Sequence, residues 1–308
     1  MRIGLIDVDG HNFPNLALMR ISAWHKSIGD IVEWWKSNSV YYDIVYMGKI
    51  FSRAYSHDIM EPINCGKVIK GGTGYAISID SDGNEYFDKS KHKDLPPEIE
   101  KMFPDYSIYP QFDFAVAMTS RGCPRGCAFC HVAAKEGRCA VKVADVKDFW
   151  CGQKHIEVLD PNITACREKH DLFMQYAETR ATVNFNQGLD IRLLTEQDID
   201  DINAIRVKDI HFAWDNPEDD LSDKFAKYAK QAKHRLHGTF GTVYVLVNYR
   251  STMEQNLYRI YTLRDLGFDP YVMVYDKPHA PKQIRALQRW CNNRIIFKSA
   301  KRFEDYRG

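Results

Sequence analysis

The sequence predicts an α/β chain in two parts: a small parallel α/β domain over residues 1–105, linker included, and then a partial (β/α)6 barrel over residues 106–308. Three observations predict it. Apolar runs of strand length recur along the chain with helix-length spacers between them. A charged, proline-bearing stretch at residues 88–110 shows no sustained period and reads as a linker. Roughly 200 of the 308 residues follow it, fewer than the ~250 that eight βα units take, so about six units fit.

The elements follow in order. Residues 2–8 form a short apolar run interrupted at Asp7, which reads as a first strand. Gly10 and Pro14 supply a turn, and Leu16, Met19, Ile21, Ala23, Trp24 and Ile28 then recur near helical spacing up to Gly29. Residues 42–47 (YDIVYM) and 67–69, running into Gly71-Gly72, read as further strands. Residues 77–87 carry Asp82-Gly83 between two alternating runs, a hairpin signal. Beyond the linker, strands are predicted at 112–118, 156–159, 182–185, 209–214, 242–247 and 270–275, with helical stretches at 223–234, 253–266 and 281–290. No 20–50-residue repeat is present.

Composition narrows the class. Hydrophobic residues make up 44% and charged residues 27%, which excludes disordered, collagen-like and coiled-coil chains. Forty-two Lys and Arg against 41 Asp and Glu leave a net charge of +1, so charge alone argues for neither a nucleic acid nor a membrane partner. The N-terminal apolar run is cut by acids and lacks the pattern of a secretory signal, and no window reaches the ~18 apolar residues of a membrane span. A soluble, cytoplasmic protein is expected. In that compartment eight cysteines point to metal or redox chemistry ahead of disulfides.

Three of the eight fall in one stretch, Thr119-Ser120-Arg121-Gly122-Cys123-Pro124-Arg125-Gly126-Cys127-Ala128-Phe129-Cys130, a CxxxCxxC following the first predicted strand of the second domain. Three thiolates on a Gly- and Pro-rich turn can hold three irons of a cubane cluster. The fourth iron then stays open, as catalytic metals keep an open position. The competing reading is a zinc knot completed by His131 or Cys139, or cysteines that only pack. Zinc sites usually come as two CxxC-type pairs, and no second pair has that spacing. Cys65, Cys139, Cys151, Cys166 and Cys291 are scattered and are expected to be buried, inert thiols.

CxxxCxxC with an aromatic residue just before the third cysteine, after the first strand of a βα series, resembles the radical SAM superfamily. The resemblance covers residues 106–308 and implies a [4Fe-4S] cluster on Cys123, Cys127 and Cys130, with S-adenosylmethionine chelating the fourth iron and Phe129 packing near its adenine. It implies reductive cleavage of S-adenosylmethionine to a 5'-deoxyadenosyl radical that abstracts hydrogen from a substrate. It also implies cofactor contacts at the strand ends: Asp160 and Asn162 in LDPN, Gln187, Asp190 and Arg192 in NQGLDIR, and Asp215 in AWDN. Helix capping is the competing role for each. The family's GGE text is absent after the second strand, where Asp160-Pro161-Asn162-Ile163 stands instead. The substrate stays unidentified: a peptide, a nucleic acid or a metabolite. From Arg289 on, six basic residues face two acidic ones, a stretch that could dock the flavodoxin- or ferredoxin-type electron donor such chemistry needs.

The opening resembles the flavodoxin-like, cobalamin-binding domains found in front of such barrels, on the strand at 2–8, the Phe13-Pro14-Asn15-Leu16 turn, the 42–47 strand and the Gly71-Gly72-Thr73-Gly74 loop. Those glycines either admit a ligand's nucleotide tail or simply make the turn. The DxHxxG fingerprint is half present: Asp9-Gly10-His11 is followed by Asn12-Phe13-Pro14. The resemblance therefore admits cobalamin without favouring it, and His11 reads as a turn residue with no metal role. The alternative functions are a cobalamin-dependent radical SAM methyltransferase and a non-enzymatic zinc-binding module.

Overall fold

Burial on both faces decides the first sheet. In β1 (Arg2–Asp7) Ile3 and Leu5 are buried on one face and Ile6 on the other, and the strand pairs in parallel with both β2 (Ile31–Trp34) and β3 (Tyr42–Gly48). β4 (Cys65–Gly71) pairs in parallel with β3, giving the order β2-β1-β3-β4. Helix α1 (Leu16–Ser27) starts where Asn15 accepts a hydrogen bond from the Leu18 N–H, and it packs Leu18, Met19 and Ile21 onto Ile3 and Leu5. After the short helix α2 (Thr73–Ala76) comes the expected hairpin, β5 (Ile77–Ile79) and β6 (Glu85–Phe87), which turns at Gly83 with φ +85°.

The computed structural model describes residues 1–307. The chain parts into two compact units. One comprises Met1–Val116, Gly122–Arg138 and Ala144–Gln153; the other comprises Ala117–Arg121, Cys139–Val143 and the chain from Lys154 on.

Residues 88–110 are not a free linker. They carry the short helix α3 (Pro97–Glu100) and a 3-10 turn, and Ile99, Ile108 and Tyr109 are buried in the core with α1 and β1. Asp105 accepts hydrogen bonds from the Ser22 hydroxyl and Lys26 Nζ, both at 2.6 Å, and Trp34 Nε1 donates to the Ile108 carbonyl at 3.0 Å. Isolated apolar residues that each fill one gap leave no period to read.

A six-stranded sheet is built from β7 (Phe114–Ala117), β10 (His155–Val158), β11 (Thr182–Leu189), β12 (Arg206–Ala213), β13 (Thr242–Val247) and β14 (Asp269–Val274). Its order is β14-β13-β12-β11-β10-β7, and β10 to β14 pair in parallel as neighbours. All six stand where the sequence predicts them. Between them run α5 (Lys169–Thr179), α6 (Glu196–Ala204), α7 (Ser222–Gln231) and α8 (Met253–Asp265), and α9 (Lys282–Asn292) and α10 (Arg294–Ser299) follow. The architecture is the partial βα barrel preceded by a parallel, flavodoxin-like sheet that the sequence predicts. Phe173 and Tyr176 of α5 meet Phe185 edge-on at 6.0 and 6.1 Å, and Phe225 and Tyr228 of α7 meet Phe212 edge-on at 6.0 and 4.9 Å. Among the described residues no helix is long and apolar enough to cross a membrane.

Candidate functional site

The cysteine loop lies in the first unit, and the strands that flank it in the chain, β8 (Ser120–Arg121) and β9 (Val141–Lys142), pair antiparallel in the second. Gly122 (φ +91°) and Gly126 (φ +58°) take the left-handed conformations that let so short a segment wrap. A Cβ on Gly126 would stand 3.0 Å from the Arg138 guanidinium carbon. The Cys123 N–H donates to the Gly137 carbonyl at 3.1 Å, and the Cys130 N–H donates to the Cys127 carbonyl at 3.0 Å. The first bond closes the loop across the short helix α4 (Val132–Glu136), and the second turns it just ahead of that helix. Cys123 and Cys127 are half-buried, Cys130 is exposed and Phe129 is half-buried.

Three soft thiolate donors on irregular, glycine-turned backbone suit an iron–sulfur cluster. Among the described residues, no three His, Cys, Asp or Glu are gathered to hold a single ion. Glu136, at the end of α4, pairs with Lys135 at 3.1 Å through one oxygen, while its other oxygen is buried without a hydrogen-bond partner.

The remaining cysteines divide. Cys166 and Cys291 are buried; burial pushes the Cys166 thiol up to about 11 and raises that of Cys291. Cys139 and Cys151 are exposed, contrary to the expectation of buried thiols, because both sit in loops outside the packed faces.

The strand-end residues lie in the second unit. Asp160 is buried, and its carboxylate accepts from the Thr119 N–H and hydroxyl, both at 2.8 Å, and from the Ser120 N–H. It therefore pins the backbone three to four residues ahead of Cys123 in the chain. Burial pushes its carboxyl up to about 6, and these hydrogen bonds oppose the shift. Asn162 is also buried; it accepts from the Thr164 hydroxyl at 2.6 Å, and that hydroxyl in turn accepts from the Asp190 N–H at 3.1 Å.

Asp190 caps a 3-10 turn and accepts from Arg192 Nε at 2.7 Å, while Arg192 reaches Asp219 at 3.5 Å. Asn162, Asp190 and Arg192 thus form one network through Thr164, a residue the sequence reading passed over. Gln187 is exposed on β11. Asp215 is half-buried, with its carboxyl pushed up to about 6 by burial; the Leu246 N–H, Arg259 and Arg192 pull the other way.

Arg259 was not legible as a site residue. On α8 it reads as a surface cation, yet it is buried and donates to the Trp214 carbonyl at 2.6 Å, the Leu246 carbonyl at 3.0 Å and Asn256 Oδ1 at 2.7 Å. It joins the ends of β12 and β13, and its charge opposes the burial that raises the Asp215 carboxyl.

In the first unit, Asp7 at the end of β1 accepts from the Tyr109 hydroxyl at 2.6 Å, and the exposed His11 packs edge-on against Trp34 at 4.2 Å. Cβ atoms on Gly72 and Gly74 would stand 2.2 Å from the Lys49 and Phe51 carbonyl oxygens, so close approach of the chain's own backbone requires these glycines.

Fold and site together define an α/β half-barrel with a parallel sheet ahead of it and a three-cysteine loop after its first strand. Among solved structures, that of a radical S-adenosylmethionine methyltransferase, TsrM, from Kitasatospora setae, determined with cobalamin and a [4Fe-4S] cluster bound, is similar over 89% of this chain and 74% of that one. The TM-score is 0.63 and the sequence identity 11%, so the likeness is one of fold. No protein-family model matches the chain, and no curated protein matches it.

Proposed function

We propose that the chain is a radical SAM enzyme in which Cys123, Cys127 and Cys130 hold a [4Fe-4S] cluster. One observation carries the reading: the CxxxCxxC loop follows the first strand of a sheet whose fold is that of a radical SAM methyltransferase. Such a cluster supplies the electron that cleaves S-adenosylmethionine to a 5'-deoxyadenosyl radical, which takes hydrogen from the substrate. The three thiolates hold the irons, and Gly122 and Gly126 take the left-handed turns that shape the loop carrying them. Phe129 offers an apolar face to the adenine. The Asn162, Asp190 and Arg192 network and Asp215 offer hydrogen-bond donors, acceptors and opposite charges for the ribose hydroxyls and the methionine carboxylate. Gln187 is a further contact. Asp160 acts differently: it fixes Thr119 and Ser120. A flavodoxin- or ferredoxin-type donor delivers the electron.

The test is anaerobic reconstitution with iron and sulfide, then dithionite and S-adenosylmethionine, reading 5'-deoxyadenosine by mass and the reduced cluster by electron paramagnetic resonance. Both signals are expected, and Cys127→Ala loses cluster and product while the chain keeps its circular dichroism. Zinc uptake with no cleavage of S-adenosylmethionine overturns the proposal. The second reading, a cobalamin-dependent methyltransferase, rests on the cobalamin bound in the similar structure.

A further inference from the structure

The last two helices carry a charge pattern that the fold does not reward. From residue 277 to residue 307 there are nine Lys and Arg against two Asp and Glu, while the rest of the chain has 33 against 39. No Asp or Glu occurs between Asp276 and Glu304. A near-neutral chain thus divides into a weakly acidic body and a strongly basic C-terminal segment.

Helix α9 orders part of this charge. It buries Ile284, Leu287, Trp290 and Cys291 on one side, while Lys282, Arg285 and Arg289 stand exposed. Their spacing of three and four residues puts the three cations in one stripe on the solvent face. In α10, Phe297 is buried against Trp290, 4.8 Å between ring centroids, and Arg294 and Lys298, four residues apart, are exposed. These placements cost stability. Like charges one turn apart repel, and Lys282 and Arg294 open their helices, where the macrodipole favours acids. Asp269 compensates Arg294 at 2.9 Å, but among the described residues no carboxylate pairs with Lys282, Arg285, Arg289 or Lys298. A segment that breaks several local rules together without a compensating contact points to a partner outside the fold.

Two kinds of acidic partner fit a basic stripe. An electron donor has to approach the cysteine loop, and that loop follows β7. Helix α9 covers β14 at the opposite edge of the same sheet, five strand spacings or roughly 24 Å away. A nucleic acid needs no such proximity. Five of the nine cations are arginines, whose planar fork takes two phosphate oxygens at once.

We propose that the basic segment over α9 and α10 binds the phosphate backbone of a nucleic acid, with Lys282, Arg285 and Arg289 as its ordered contacts. The proposal needs neither the cluster nor S-adenosylmethionine, so it stands or falls apart from the radical SAM reading.

The experiment is fluorescence anisotropy of labelled single-stranded RNA, single-stranded DNA and duplex DNA with the full chain, between about 50 and about 200 mM salt. At least one probe is expected to bind, with log affinity falling linearly with log salt concentration, and the form bound most tightly names the partner. The triple variant Lys282→Gln, Arg285→Gln, Arg289→Gln is expected to bind about tenfold more weakly or worse, and its salt slope on a single strand to shrink by about 2, at ~0.7 for each lost phosphate contact. It is expected to melt at or above the parent's temperature, because the repulsion within the stripe is gone. A control that removes three exposed cations of the first unit, Lys89→Gln, Lys93→Gln, Lys101→Gln, is expected to keep the parent's affinity. Failure to bind any probe, undiminished binding by the triple variant, or equal weakening in the control overturns the proposal. A triple variant that melts below the parent overturns it in favour of a structural role for the stripe. Polyglutamate that displaces the probe as readily as the unlabelled oligonucleotide overturns it in favour of an acidic protein.

Discussion

Asp7 shows how a single carboxyl ties the first unit to pH. Burial pushes its pKa up from 3.8 to about 6, against the hydrogen bond from the Tyr109 hydroxyl. The folded chain therefore holds this proton more tightly than the unfolded chain, so ionised Asp7 costs stability as pH rises through about 6, and below about 4 both states are protonated and the cost is gone. Asp7→Asn keeps an oxygen for Tyr109 and never ionises. Thermal melts of the variant and the parent are expected to diverge in the variant's favour at pH 8 and to converge near pH 4; a difference that is the same at both pH values would show that Asp7 carries no such penalty. Arg259 makes the contrasting case. Arg259→Met removes the donor from the Trp214 and Leu246 carbonyls and is expected to cost about 1–3 kcal/mol in urea unfolding. The cysteine motif was legible because its chemistry depends on spacing alone. Arg259 was not, since its role depends on which carbonyls its helix happens to overlie.

At the scale of elements, β14 is an edge strand that the fold closes with a helix. Asn292 on α9 accepts from the Val272 N–H at 2.7 Å and donates to the Val272 carbonyl at 3.0 Å, and Gln288 Nε2 donates to the same carbonyl at 3.2 Å. Two amide side chains thus stand in for a neighbouring strand, and an uncovered edge of this kind pairs with other chains. Asn292→Leu is expected to destabilise by about 1–3 kcal/mol and to produce concentration-dependent association in sedimentation velocity; a variant that stays monomeric at parental stability would mean the edge needs no cover. The six strands of this sheet were readable because each is a strand-length apolar run set off by helix-length spacers. β2 was not: its residues Ile31–Trp34 are half-buried or exposed throughout, so no face stands out. The segment at 88–110 escaped for a related reason: hydrogen bonds to Asp105 and to the Ile108 carbonyl hold it in place, and its three core residues, Ile99, Ile108 and Tyr109, carry no period of their own.

For the whole molecule, the question is whether the first unit carries a cofactor of its own. Its parallel sheet is suited to one, but the strand ends are occupied by the chain's own groups. Lys49 and Phe51 backbone fills the space beside Gly72 and Gly74, and Asp9 accepts from the Ile50 N–H at 2.5 Å. The His11 ring packs on Trp34 and lies 5.9 Å from Tyr109, and Gln111 Nε2 donates to the His11 carbonyl at 3.2 Å. To ligate a metal, His11 would have to leave that stack, giving up aromatic contacts of roughly 0.5–1.5 kcal/mol each. The chain incubated with excess hydroxocobalamin and desalted is therefore expected to emerge without corrin absorption, while the same chain retains iron and sulfide bound through Cys123, Cys127 and Cys130. Corrin eluting at about one per chain would transfer the lead to the methyltransferase reading, and His11→Ala would then separate the two ways of holding it: lost retention means the imidazole leaves Trp34 to bind cobalt, and undiminished retention means the corrin is held by its periphery.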